Sequence, residues 1–167
     1  MSTRRLAVAT LLTGVIAGLV GLACIHLLHW IQAIAWDMHS GTLLNAVSAV
    51  SPSRRVGVLT LAGVVGALSW FLLFRRNKAI TSVSGAVGGT PMPPLRATWH
   101  ALTQVLIVGL GASVGREVAP REMAAAFSAA AADRLGLTPE DRRIIVACGA
   151  GAGLAAVYSI PLSGAIY

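Results

Sequence analysis

The chain has 167 residues, of which 56% are hydrophobic and only 11% charged, and its mean hydropathy is +0.76. Soluble domains usually carry about 25% charged residues, so this composition excludes a disordered chain and argues against an ordinary soluble domain. The net charge of +7 is explained in a membrane protein by basic residues kept in the cytoplasm, which makes nucleic-acid binding an unnecessary explanation.

Six helices are predicted in chain order: residues 6–36, 56–74, 97–114, 120–135, 142–158 and 161–167. The first three runs are apolar and long enough to cross a bilayer, which takes about 20 helical residues. The first is predicted to be a retained helix, because a cleaved signal has an apolar region of only about 7–15 residues. Residues 1–167 are therefore predicted to form a single all-α, multi-pass transmembrane domain.

The basic residues of the connecting segments predict the orientation in the membrane. Placing the N-terminal tail and the 75–96 segment inside leaves six basic residues in the cytoplasm and two outside. The N-terminus is therefore predicted to be cytoplasmic. Pairs of small residues four positions apart, which permit close helix contact in lipid, indicate a packed multi-helix body: Gly14/Gly18, Gly111/Gly115 and Gly149/Gly153.

The most informative stretch is Gly109–Glu122, because four charged residues interrupt apolar sequence there. Ionisable residues at membrane depth are costly and are functional candidates. A helix that begins near Pro120 would direct its free N–H groups and the positive end of its dipole at the break, which favours anions. A surface loop with solvated charges explains the same pattern, and the residues alone leave both interpretations open.

A second break follows at 159–164, where Pro161 would end one helix and start the next. Helix-breaking residues in apolar sequence are tolerated only where protein or a cavity covers the backbone. The two breaks together predict broken or re-entrant helices rather than straight spans.

These two segments resemble a known family. Gly115-Arg116-Glu117 is similar to the start of the Gly-Arg-Glu-Gly-Pro motif of the CLC chloride channels and proton-coupled anion transporters, and 149–167 looks like the Gly-rich helix pair of that family. The resemblance implies a fold of two inverted repeats, of which this chain resembles the first, and a homodimer in the lipid bilayer with one pore per subunit. It also implies a voltage-gated channel or proton-coupled antiporter rather than an enzyme, in a bacterial-type inner or plasma membrane.

The resemblance also assigns the site. Glu117 would be the gating glutamate, which competes with the anion and takes up a proton, and the anion would lie at Gly115, Arg116, Glu117 and Val118. The motif departs from the family at Val118-Ala119, where the family has Gly-Pro. A gapped alignment places Lys78 where the family has an anion-coordinating serine, so Lys78 is either an anion ligand or a topology charge. The transported ligand is predicted to be chloride or another small anion.

No cofactor is predicted, and no metal-ligand spacing is present in the sequence. His100 is a lone histidine to which the sequence assigns no role. Chains of the resembled family are more than twice this length, so a truncated N-terminal half is expected. The alternative function is that of a non-conducting membrane fragment that packs against another transmembrane protein.

Overall fold

In the computed structural model, residues 3–75 and 79–166 are described, and they contain helices but no strand. The all-helical prediction is confirmed. The helices are α1 Thr3–Trp36, α2 Leu43–Ala49, α3 Pro52–Phe74, α4 Val83–Val87, α5 Pro94–Gly109, α6 Val118–Arg134, α7 Pro139–Tyr158 and α8 Pro161–Ile166.

The centre of the molecule is the pair α6 and α7, against which α1 packs. Several alanines of α6 are fully buried, among them Ala124, Ala125 and Ala126. On α7, a Cβ at Gly153 would lie 2.5 Å from Pro120 O, and one at Gly149 would lie 2.5 Å from Ser128 Oγ. The two helices therefore approach until backbone meets backbone, as small residues allow in membranes.

The helix starts follow local capping chemistry. Ser51 caps α3 through the Arg54 N–H, and Pro52 occupies its first turn. Thr138 caps α7 in the same way through the Asp141 N–H. Both helices therefore begin three or four residues before the predicted 142 and 56, because a serine or threonine cap followed by proline fixes the first turn.

The predicted helix 97–114 is wrong at its C-terminal end, since α5 ends at Gly109. Gly111 has a φ of +94°, and Ala112 N–H donates to Ile107 O (2.9 Å) while Gly111 N–H donates to Val108 O (2.9 Å). This is the Schellman pattern, in which a left-handed residue closes a helix. With 16 residues, α5 is about 24 Å long, shorter than the roughly 30 Å hydrocarbon core.

Trp36 fixes the position of that helix end. It is 1% exposed, and its Nε1–H donates to Gly109 O (3.0 Å). Trp36 is therefore a packed residue, whereas Trp30 on the same helix is 63% exposed. Buried tryptophan usually finds a hydrogen-bond partner for its N–H, and here the partner is a free carbonyl at a helix end.

Arginines close other helix ends. Three guanidinium groups donate to carbonyls at the C-terminal ends of preceding helices: Arg54 to Ala35 O (2.9 Å), Arg55 to Val50 O (2.9 Å) and Arg96 to Leu73 O (2.9 Å). These charges also complement the negative ends of the helix dipoles. Residues counted as topology charges in the sequence therefore have a structural role as well.

Two of the described helices, α1 and α3, are long and apolar enough to cross a membrane. Much of their surface is apolar and exposed, including Leu11, Leu19 and Phe71. Two short helices, α2 and α4, lie in segments that the sequence analysis treats as connections. They bury too few apolar residues to show a helical pattern in the sequence.

Candidate functional site

The first break of the sequence lies between α5 and α6, over residues 110–117. Gly115 has a φ of +83°, a backbone conformation that glycine adopts without steric cost. Glu117 follows as the N-cap residue of α6. The helix thus begins two residues before the predicted start at Pro120, which lies within its first turn.

The Glu117 carboxylate folds back over Gly115. A Cβ at Gly115 would lie 2.5 Å from Glu117 Oε1 and 2.8 Å from Oε2. The Tyr158 hydroxyl donates to Glu117 Oε2 at 3.4 Å, a long and weak hydrogen bond. Gly115, which has no side chain, therefore leaves room for the carboxylate, and the Tyr158 hydroxyl is hydrogen-bonded to it.

Tyr158 joins the two motifs. It is the last residue of α7, and its ring lies under the Arg116 guanidinium, 4.9 Å from the ring centroid. Ser159 then takes a left-handed conformation with a φ of 56°, and α8 starts at Pro161. The two breaks that the sequence places about 40 residues apart thus meet at one tyrosine.

The N-terminus of α6 lacks a side-chain cap. Four helices have a serine or threonine whose side chain accepts a hydrogen bond from the first turn: α2, α3, α4 and α7. Glu117 occupies the corresponding position in α6, but its side chain makes no cap bond. The first-turn N–H groups of Val118 and Ala119 therefore remain free of a capping side chain, and the helix dipole directs positive potential toward the break.

A buried polar cluster lies behind the break, and the sequence analysis did not identify it. His100 Nδ1 on α5 lies 2.7 Å from Glu122 Oε2 on α6, and both side chains are largely buried. Gln104 Nε2 lies 3.1 Å from His100 Nδ1 and 3.2 Å from His100 Nε2. The sequence feature that could have predicted this cluster is the spacing of His100 and Gln104. These two polar residues are four positions apart in an apolar helix and therefore share one helix face.

Not all predicted site residues are brought together. Gly115, Arg116, Glu117 and Val118 lie at the break, whereas Lys78 lies outside the described residues. Within the described ranges, no group of three or more His, Cys, Asp or Glu residues is arranged to hold a metal ion.

Comparison with known proteins decides the family. The family model described as voltage gated chloride channel matches residues 60–167, which include both breaks. The chain belongs to this family. The resemblance to the CLC proteins noted in the sequence is thereby confirmed.

Relatives in this family match almost the whole chain. The voltage-gated ClC-type chloride channels ClcB of Salmonella typhi and Escherichia coli O81 are 32% and 31% identical to it over 170 residues. Each match covers 98% of this chain, which spans 40% of the length of either relative. No solved structure matches the chain significantly.

Proposed function

We propose that this chain provides part of a transmembrane pathway for chloride or a similar small anion, and that Glu117 is its gating residue. The observation that carries the proposal is the Glu117 carboxylate, folded over Gly115 at the uncapped N-terminus of α6. A carboxylate at that position takes the place of an anion, because the positive end of the α6 dipole attracts both.

A proton would release the gate. Protonation removes the negative charge of Glu117 and with it the attraction to the helix N-terminus, so the side chain can leave and an anion can enter. Tyr158 would set how firmly the closed position is held, since its hydroxyl is the hydrogen-bond donor to Glu117 Oε2. A channel and a proton-coupled antiporter would both use this step, and the flux measurement below distinguishes them by whether proton movement accompanies the anion.

The membrane setting supports the same proposal. The family and the two long apolar helices place the chain in a membrane, where the large exposed apolar side chains of α1 and α3 would face lipid. We further propose a cytoplasmic N-terminus, from the excess of basic residues in the tail and in the 75–96 segment. A homodimer is part of the proposal by resemblance alone.

The test is anion flux from liposomes that contain the purified chain, measured together with proton movement at several pH values. Glu117→Gln keeps the size of the side chain but abolishes its charge, so it should leave flux that no longer depends on pH. Glu140→Gln is the matched control, because Glu140 is an exposed acid in the first turn of α7. Equal pH dependence in Glu117→Gln and the parent chain would refute the gating role.

The alternative proposal is a membrane protein that packs against another transmembrane chain without conducting. The observation in its favour is the extent of exposed apolar surface on α1 and α3, which suits a partner helix as well as lipid. Folded, membrane-inserted chain without flux under any condition would support this alternative over the first.

A further inference from the structure

The first turn of α1 is charged, and a long uncharged stretch follows it. Arg4 and Arg5 are exposed, and residues 6–25 contain no Asp, Glu, Lys, Arg or His. The next such residue is His26, which is also exposed. A helix of this length spans about 30 Å, the thickness of the hydrocarbon core of a bilayer. Arg4 and Arg5 therefore lie at the level of the lipid headgroups when α1 crosses the membrane.

The turn between α6 and α7 lies beside this end of α1. Ala9 of α1 and Ala132 of α6 belong to one buried cluster. Arg5 extends this contact, because its Nη1 would lie 3.7 Å from a Cβ at Gly136 in the turn. Arg134, in the last turn of α6, is exposed two positions before Gly136. Two helices thus bring three arginines to one corner of the molecule, which we call the arginine corner: Arg4, Arg5 and Arg134.

Within the described part of the chain, the arginine corner has no acidic partner. Asp133 Oδ1 accepts a hydrogen bond from Arg142 Nε (2.6 Å), and Asp141 Oδ2 accepts one from the Thr138 hydroxyl. The remaining acid on this side, Glu140, is exposed and forms no ion pair with the corner. Like charges gathered without partner acids create a positive potential that attracts anions.

An exposed apolar stripe continues from the arginine corner along α1. It consists of Val8, Leu11 and Val15, which are 40%, 73% and 60% exposed. These residues follow Arg4 at spacings of four, seven and eleven positions, so all four side chains share one helix face. An anion that carries its own apolar chain matches both the corner and the stripe, whereas a free phosphate ion matches the corner alone.

We propose that the arginine corner binds the phosphate of an anionic phospholipid, whose acyl chain lies along the apolar stripe of α1. Guanidinium groups bind phosphate oxygens through paired N–H donors, and basic pockets beside transmembrane helices recognise anionic headgroups in this way. The corner contains no residue of the break. Arg134 and the break lie at opposite ends of α6, which has 17 residues and is about 25 Å long, so this site is separate from the gating position.

The test is thermal unfolding of the purified chain in neutral detergent at low salt, where charge interactions are least screened. Circular dichroism gives the Tm as dioleoylphosphatidylglycerol is added, and a parallel titration uses dioleoylphosphatidylcholine, which has the same acyl chains but no net charge. We expect phosphatidylglycerol to raise the Tm by about 3–6 °C at ten times its dissociation constant. Phosphatidylcholine should leave the Tm unchanged, as should inorganic phosphate at the same concentrations, since it has no apolar chain.

Three variants locate the binding. Arg5→Gln and Arg134→Gln should each weaken the binding of phosphatidylglycerol about tenfold, the effect of losing a hydrogen bond to a charged group. Arg143→Gln is the matched control, because it removes the same charge from another exposed arginine on this side of the molecule. Arg143 Nη2 would lie 3.6 Å from a Cβ at Gly89, outside the corner. Its loss should weaken binding less than about fivefold, through the general attraction of basic residues to anionic lipid.

Three results would overturn the proposal. An equal rise in Tm with both lipids would mean that the headgroup charge is not recognised, and an equal rise with inorganic phosphate would mean that the stripe plays no part. Equal weakening in Arg143→Gln and Arg5→Gln would mean that the corner is not a site. The melting curve of each variant without lipid shows whether it is folded, and the comparison of the two lipids on the parent chain decides if a variant is not. No arm measures ion flux, so failure of this site and failure of the gate are separate results.

Discussion

Replacing Gly153 by alanine should destabilise the protein through the contact between α6 and α7. The new Cβ would lie 2.5 Å from Pro120 O and 2.8 Å from Ala124 Cβ. Pro120 O is backbone in the first turn of α6, so it can move only if the start of that helix moves. Overpacking of this kind costs about 1–3 kcal/mol, while alanine regains about 1 kcal/mol of helix propensity over glycine.

Gly18→Ala isolates the packing cost. Gly18 is also inside a helix, but a Cβ there would meet nothing within 4 Å. Since both substitutions gain the same propensity, the difference between them should be the clash alone, about 1–3 kcal/mol, or roughly 2–12 °C in Tm for a chain of this size. Thermal unfolding of both variants in the same detergent, followed by circular dichroism, measures this difference. A Gly153→Ala chain as stable as Gly18→Ala would refute the close approach of α6 and α7.

Three further substitutions test the site and its support. Trp36→Phe removes the buried hydrogen bond to Gly109 O and should lower the free energy of unfolding by about 1–3 kcal/mol in denaturant titrations; an unchanged midpoint would mean that the indole does not hold the end of α5. Tyr158→Phe keeps the ring but removes the hydroxyl that donates to Glu117, so anion flux from liposomes at neutral pH should rise, by less than about tenfold. A fall in flux would contradict the proposal that Tyr158 restrains the Glu117 carboxylate. Gly115→Ala places a Cβ 2.5 Å from Glu117 Oε1 at a φ of +83°, so it should lower stability by about 1–2 kcal/mol and displace the carboxylate. Flux that no longer depends on pH would reveal the displacement, whereas the pH dependence of the parent chain would argue against the folded-back position of Glu117.

Local sequence signals predicted the helices well where they were strong. Long apolar runs marked α1 and α3. The predicted start of α7 at 142 was three residues late, because the Thr138 cap and Pro139 begin the helix earlier. The end of α5 was predicted wrongly because the apolar sequence continues past it. Gly111 closes the helix there, and a glycine inside an apolar run is equally compatible with a continuing membrane helix.

The candidate site was predicted in part. The charged break at Gly115–Glu117 and the second break near Pro161 are visible as motifs, and the range matched by the family model includes both. The roles of the individual residues stay predictions, and Lys78 lies outside the described residues. Nothing in the sequence connected Tyr158 to Glu117, since the two residues are 41 positions apart.

The sequence by itself determined the class of the protein, its helical content and the residues at the break, because hydropathy, capping and short motifs act over a few neighbouring positions. Only the tertiary structure decided that Glu117 meets Tyr158 and that His100 and Gln104 lie behind the break with Glu122. Those contacts join different helices, and they depend on how closely α6 and α7 pack. The glycines on α7 permit that approach, but its direction and register are set by all of the packed helices together.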